Sequence, residues 1–448
     1  MALTAMAIYK NLPKTNCGDC KFPTCMAFAM QVAAKQKPLT DCPHLSDQAK
    51  GEFSEASAPP MKLVRVGPAG AGGFEIGQET VMFRHEEKFH HQPAIAVRVP
   101  ASLSDEEALA RIEQLNKAQF VRVGQALGVK AAAIDLDGLA ADKAVARVKS
   151  LAAKSCLPFI IMSGDAKTMA AAVGALADKK PLIYRATPAN ADAFIKIALD
   201  TKCPLAVGAD TLEALADLAK AARDKGVADL VLSFSGDKPA RTIRDLTIAR
   251  RAGLKKSFRP FGYPAMVDAS NGNATKETVL ASVFAAKYAG IVIISGLDGS
   301  ELLPILTTIQ NVYTDPQVPN IVEPKLYEIG PVNENSPVLW TTNFSLTYFC
   351  VVGEIERSKV PCFISVVDSG GLGILNAYAG DKVSPDKVVK TLEAQKVADK
   401  VKHRRLISPG LLPSFRAEIE DSSPWKQVMI GPENASGIPG FLKENWKA

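Results

Sequence analysis

IAVRV (95–99), VKAAAIDL (129–136), PFIIMSG (158–164), PLIYRA (181–186), PLAVGA (204–209), DLVLSF (229–234), PAMVDA (264–269) and IVIISG (291–296) are the runs on which the fold turns. Each is short and almost wholly apolar, which suits a strand buried on both faces. Each is followed by residues with helical periodicity. Eight such units, evenly spaced over about 220 residues, predict a closed (β/α)8 TIM barrel spanning 93–312. The rival, an open doubly wound sheet, fits this spacing less well.

Downstream, YTDPQVPNIVEPK (313–325) carries three prolines and reads as a linker. Beyond it, PVLWTTNFSLTYF (337–349), PCFISVVD (361–368), HRRLISPG (403–410) and KQVMIGP (426–432) alternate with helical stretches. They predict a small α/β, Rossmann-like domain over 326–448. The strand ends run into TTNFS, DSGGLG, SPGLLPS and GPENASG, and small residues there let backbone approach a ligand. Upstream, VGPAGAGGFEIG (66–77) lacks the context of a dinucleotide fingerprint and reads as a turn within a 61–92 connector.

Residues 1–60 form a third segment, ended by Pro59-Pro60, with a helix expected over MAFAMQVAAKQ (26–36). Four of the eight cysteines lie here: Cys17, Cys20, Cys25 and Cys42, spaced C-x2-C-x4-C-x16-C. Four thiolates suit an iron–sulfur cluster or tetrahedral zinc. A zinc ribbon usually has a second C-x2-C knuckle, missing here, so the spacing favours iron–sulfur without excluding zinc or free thiols. His44, beside the fourth cysteine, is a competing ligand. Cys156, Cys203, Cys350 and Cys362 lie in apolar contexts and are expected to be buried. HEEKFHH (85–91) reads as a solvated loop or strand edge rather than a metal site.

Composition narrows the rest. A net charge of +6 over 448 residues, with no dense basic tract interleaved with aromatics, argues against a nucleic-acid partner. No apolar run approaches the roughly 18 residues of a membrane span. The first residues lack a leader pattern, so a cytoplasmic chain is expected.

The segment IYKNLPKTNCGDCKFPTCMAFAMQVAAK (8–35) closely resembles the large (gamma) subunits of corrinoid iron–sulfur proteins. These belong to the acetyl-CoA synthase/CO dehydrogenase (Wood–Ljungdahl) system. The resemblance continues through SFRPFGYP (257–264), VYTDPQVP (312–319), GPVNENSPV (330–338), TTNFSLTYF (341–349) and GPENASGI (431–438). It implies an N-terminal [4Fe-4S] domain on Cys17, Cys20, Cys25 and Cys42, a TIM barrel, and a C-terminal domain carrying a cobamide. The implied activity is that of a methyltransferase-type corrinoid methyl carrier. Cobalt(I) takes a methyl group from methyltetrahydrofolate on a methyltransferase and delivers it to acetyl-CoA synthase, while the cluster reductively rescues cobalt(II). The implied partners are these two enzymes and a small subunit, whose barrel pairs with this one in a heterodimer.

Many cobamide proteins supply a cobalt-ligating histidine from a D-x-H-x-x-G loop. Here the nearest candidate, His403, has Val401 where that pattern needs Asp, so a base-off cofactor with no ligand from this chain is expected. The expected contacts come from four loops. They are Trp340, Thr342, Asn343 and Leu346; Ser369, Gly370, Gly371, Leu372 and Gly373; Pro409 and Gly410; and Gly431, Ala435, Ser436 and Gly437. The competing function is a ferredoxin-like electron-transfer segment fused to a TIM-barrel enzyme of unknown substrate. A zinc-stabilised interaction module is a third reading. No acid/base set is evident at the barrel's strand ends.

Overall fold

The computed structural model describes residues 5–33, 37, 39–46, 59–70 and 72–446. Two short helices, Ala5–Asn11 and Cys25–Ala33, pack through Ile8, Leu12, Phe28 and Ala29, and Leu45 closes the same small core. The expected helix over 26–36 is present as far as Ala33; residues 34–36 lie outside the described residues. So do residues 47–58, which precede the Pro59-Pro60 junction.

Next come strands β1 (Leu63–Val66) and β2 (Phe74–Gly77), an antiparallel hairpin where the sequence suggested only a turn. The next strands are β3 (Ala94–Val99), β4 (Gln119–Arg122), β5 (Gln125–Gly128), β6 (Ala131–Asp135), β7 (Phe159–Met162) and β8 (Leu182–Ala186). They are followed by β9 (Leu205–Gly208), β10 (Leu230–Ser235), β11 (Ala265–Asp268) and β12 (Ala289–Ile294). Eight of these close a parallel barrel in the order β10-β11-β12-β3-β6-β7-β8-β9, one for each apolar run. Alternate residues fill its interior: Ala94 and Ala96, Ala131 and Ala133, Ile160 and Met162, Ile291 and Ile293. Small alanines leave room at one end for Val64, Val66 and Ile76 of the hairpin, which join that core. The hairpin lies at the N-terminal ends of the strands, where Gly67 N–H donates to Lys180 O and Lys62 N–H to Gly262 O.

Helix starts are chosen by side chains. Ser104 and Glu107 form a reciprocal capping box, and Asp165, Thr211 and Asn273 cap later helices. Glu277 has a further role. Its buried carboxylate accepts from the backbone N–H groups of Asn271 (2.6 Å), Gly272 (2.7 Å) and Ser295 (2.5 Å), tying together the loops after β11 and β12.

The chain divides into two units, Met1–Gln119 with Gly128–Tyr313, and Phe120–Leu127 with Thr314–Ala448. The β4–β5 hairpin, not foreseen in the sequence, thus contributes its tip to the second unit. A Cβ on Gly124 (φ +70°) would fall 2.3 Å from the ring of Phe349, so only glycine permits that approach.

The second unit's sheet has the order β13-β15-β14-β16-β17, with β13 (Leu326–Ile329), β14 (Val338–Thr342), β15 (Cys362–Val367), β16 (Arg405–Ser408) and β17 (Gln427–Ile430). The four predicted strands are parallel, as a Rossmann-like layer requires; β13 adds an antiparallel edge against β15. The chain leaves β14 toward β15 on one side and returns to β16 on the other, so the topological switch lies between β14 and β16. Among the described residues no helix is long and apolar enough to cross a membrane.

Candidate functional site

The four N-terminal cysteines sit around one small core. Cys25 opens its helix, and its N–H donates to Asn16 Oδ1 at 2.8 Å. Asn16, Gly18 and Lys21 all take positive φ, and Lys21 N–H closes a turn onto Gly18 O at 2.8 Å. This winds Cys17 and Cys20 back toward Cys25. Cys25 and Cys42 are buried, Cys20 is half-buried and Cys17 is exposed; none forms a disulfide. Burial pushes the Cys42 thiol up, and the charges of Cys20, Cys25 and Cys17 add to the shift, so the four sulfurs share one neighbourhood.

Beyond Cys17, Asp19 and His44 form a pair at 2.6 Å. The hydrogen bonds from His44 and from the Cys17 thiol hold the Asp19 carboxyl below its usual range. One donor atom each from Cys17, Asp19 and His44 lies within 4.8 Å of the other two. Two buried and two more open cysteines, with a mixed-donor corner at Cys17, form a donor set suited to a metal. The residues fit an iron–sulfur group.

The second site lies in the C-terminal unit. A cavity of about 290 Å³ opens at the switch between β14 and β16. Its walls are mainly Leu339, Leu346, Val351, Ile407, Leu411 and Ile438. Of the residues expected to contact a cofactor, Trp340, Leu346, Pro409, Gly431 and Ala435 line it. Trp340 is fixed from behind, donating Nε1–H to Ser408 Oγ at 3.1 Å and stacking on Phe415.

The remaining expected residues lie outside the lining, and several are engaged in holding loops. Asn343 Oδ1 accepts from Ser369 N (2.9 Å), Ser369 Oγ (2.8 Å) and Gly371 N (3.0 Å). Its Nδ2 donates to Asp368 at 2.9 Å, while Ser369 Oγ is shared with Leu372 O at 2.7 Å. Gly370 N–H also reaches Asp368, and Gly373 begins the helix Ile374–Ala379. Gly371 has φ +78°, and a Cβ there would strike Ile321 at 2.7 Å. Gly410 is required for another reason: a Cβ would lie 2.4 Å from Gly431 O, where two strand-end loops touch. Ser436 and Gly437 belong to a short turn, and Ser436 O accepts from Arg357. Thr342 is fully buried, and its Oγ1 has no hydrogen-bond partner among the described residues.

Sequence reasoning found Leu346 but missed the rest of the helix wall. Thr347, Cys350 and Val351 of the helix Ser345–Ser358 face the cavity together with Leu346. Their i, i+1, i+4, i+5 spacing marks one helix face and was the available signal. Cys350 and Cys156 are exposed, contrary to expectation, because the first sits on this helix and the second on a loop; Cys203 and Cys362 are buried as expected.

His403 is not free to act as a ligand. Its Nε2 lies 2.8 Å from Ser336 O, its Nδ1 accepts from Arg405 N at 3.2 Å, and its ring packs edge-on against Trp446. Burial holds its pKa below the ordinary value. Two of the histidines of 85–91 are likewise placed structurally: the His90 and His91 N–H groups donate to Glu79, and Phe89 just before them is buried. At the barrel's strand ends the polar groups are paired. Arg98 bonds Asp135 at 2.6 Å and Ser270 at 3.3 Å, and Asp268 accepts from the Ser270 hydroxyl.

A family described as CO dehydrogenase/acetyl-CoA synthase delta subunit matches residues 64–442, and a family described as "Putative Fe-S cluster" matches residues 12–44. The chain is 44% identical to the corrinoid/iron-sulfur protein large subunit of Moorella thermoacetica, over 99% of both chains. It is 35% identical to the acetyl-CoA decarbonylase/synthase complex subunit gamma of Methanopyrus kandleri, covering 99% of this chain and 98% of that one. For the gamma subunit of Methanothermobacter thermautotrophicus the identity is 33%, over 99% of both. These relatives align from end to end, the cysteine segment included. The chain therefore belongs to the family of corrinoid/iron–sulfur protein large (gamma) subunits of the CO dehydrogenase/acetyl-CoA synthase system.

Proposed function

We propose that this chain is a corrinoid methyl carrier, receiving a methyl group from methyltetrahydrofolate through a methyltransferase and delivering it to acetyl-CoA synthase. When bound, a cobamide would supply the cobalt that holds the methyl group, and a [4Fe-4S] cluster the electron that restores cobalt(I). The observation that carries the reading is the apolar cavity at the β14/β16 switch point of the second unit.

The chain's own residues have separable tasks. Trp340, Leu346, Pro409, Gly431 and Ala435 offer an apolar floor, and Gly410 lets two loops close behind it. Asn343 and Ser369 keep the 368–373 loop in shape. With both nitrogens of His403 engaged, this histidine would not ligate the cobalt, in keeping with a base-off cofactor.

Cys17, Cys20, Cys25 and Cys42 hold the cluster in this reading, and the small subunit, the methyltransferase and acetyl-CoA synthase/CO dehydrogenase are the partners. Absorption and EPR spectroscopy of the purified chain test it. A base-off cobalt(II) signal with about four iron atoms per chain is the expected result; an iron–sulfur signal in a chain that takes up no corrinoid would overturn it.

A further inference from the structure

The cysteine cradle is asymmetric. Cys25 and Cys42 are each 6% exposed, whereas Cys17 is open to water. The turn closed by Lys21 N–H onto Gly18 O carries Asp19 to the same open corner, and a Cβ on Gly18 would meet nothing within 4 Å. There the Asp19 carboxylate lies within 4.8 Å of the Cys17 sulfur and 2.6 Å from His44 Nε2. The thiolate needed for iron ligation carries no proton to share with Asp19. In the loaded centre a full negative charge would therefore stand beside one cluster sulfur, paired with His44.

We propose that Asp19 and His44 are an opposed pair of positioning residues that set the reduction potential of the cluster through the Cys17 corner. The inference rests on the cluster reading above. One-electron reduction adds negative charge to the centre, so a neighbouring carboxylate disfavours it and lowers the potential. A low potential is what the reduction of cobalt(II) demands of its electron donor. His44 works in the other direction by drawing the Asp19 charge to itself; without it the carboxylate faces the sulfur unshared. Neither residue packs in the core, since each side chain is about half exposed (52% for Asp19 and 50% for His44). Solvent exposure also makes the effect sensitive to salt.

The test is a potentiometric titration of the full-length, cluster-loaded chain, read by EPR of the reduced centre, with iron counted for each variant. Asp19→Asn is expected to raise the midpoint potential, His44→Ala to lower it, and Asp19→Glu to return it toward the parent value. The Asp19→Asn shift should shrink as ionic strength rises. Opposite signs are the signature, because a loosened loop would move both variants the same way. Unchanged potentials, or shifts of one sign, with iron content intact would overturn the inference. Loss of iron from Asp19→Asn would overturn it too, since a tuning group is not needed for assembly. Absence of iron from the parent chain would instead remove the cluster reading itself.

Discussion

Replacing Asn343 by alanine isolates the side chain on which the 368–373 loop rests. Asn343 is 1% exposed, and its Oδ1 serves the Ser369 and Gly371 amides and the Ser369 hydroxyl. The hydroxyl has an alternative in Leu372 O, at 2.7 Å, so it loses little. The two amides have no such recourse, and each buried donor left unmet costs about 1–1.5 kcal/mol. The bond from Nδ2 to Asp368 is charge-assisted and contributes about 1 kcal/mol more, because Asp368 is exposed and keeps its bond from Gly370 N. The total is a loss of about 3–4 kcal/mol. All three tryptophans, Trp340, Trp425 and Trp446, lie in the C-terminal unit, so tryptophan fluorescence during urea unfolding reports on that unit alone. Amide exchange at 369–371 should accelerate in the native state as well. A destabilisation under about 1 kcal/mol, with exchange unchanged, would refute the argument that one side chain organises this loop.

The other predictions concern the barrel and the two cofactor sites. Glu277→Gln should destabilise the barrel by about 2 kcal/mol, because the amide turns a donor toward one of the backbone N–H groups it now serves. Burial raises the Glu277 pKa, but the N–H groups of Asn271, Ser295 and Gly272 outweigh it and leave the pKa below its ordinary value of 4.5. That contribution is complete above pH 4.5 and lost as the pH falls through the depressed folded value; acid unfolding followed by circular dichroism should steepen in the parent and not in the Gln variant. Cys350→Phe should fill part of the cavity and cut corrinoid retention at least about tenfold while the urea midpoint holds, a loss of about 1.4 kcal/mol in binding. Cys20→Ala should keep the corrinoid and methyl transfer from pre-reduced cobalt, but lose reactivation by reductants acting through the cluster; a parallel fall in both activities would contradict the separation of roles.

The barrel was legible because its strands are buried on both faces, and continuous apolar runs as short as FIIM and IVII suit few places besides the middle of a covered parallel sheet. Besides the β1–β2 hairpin, the elements that escaped notice are four-residue strands with exposed residues. QFVR in β4 is half open to solvent, and LYEI in β13 is only partly covered. Their pairing is set by long-range contacts that no local pattern announces. Much the same holds at the strand-end site. The strand-end rule pointed to the loops, and Trp340, Pro409, Gly431 and Ala435 do reach the cavity. Small residues nearby, Gly410 above all, answer instead to loop-on-loop closeness, and composition does not separate the two causes. The cysteine set was read from spacing, but the Asp19–His44 contact spans 25 positions and appears only once the segment folds.

The tip of the β4–β5 hairpin makes the second unit discontinuous along the chain. The polypeptide therefore passes between the units three times, near Gln119, near Gly128 and near Tyr313, rather than once. A cut at Tyr313 would not yield two complete modules: the C-terminal fragment would lack the loop that meets Phe349, and the N-terminal fragment would keep an unmatched one. The 313–325 segment, taken alone, looks like a tether; with the hairpin counted, it begins at only one of three crossings the chain makes from unit to unit.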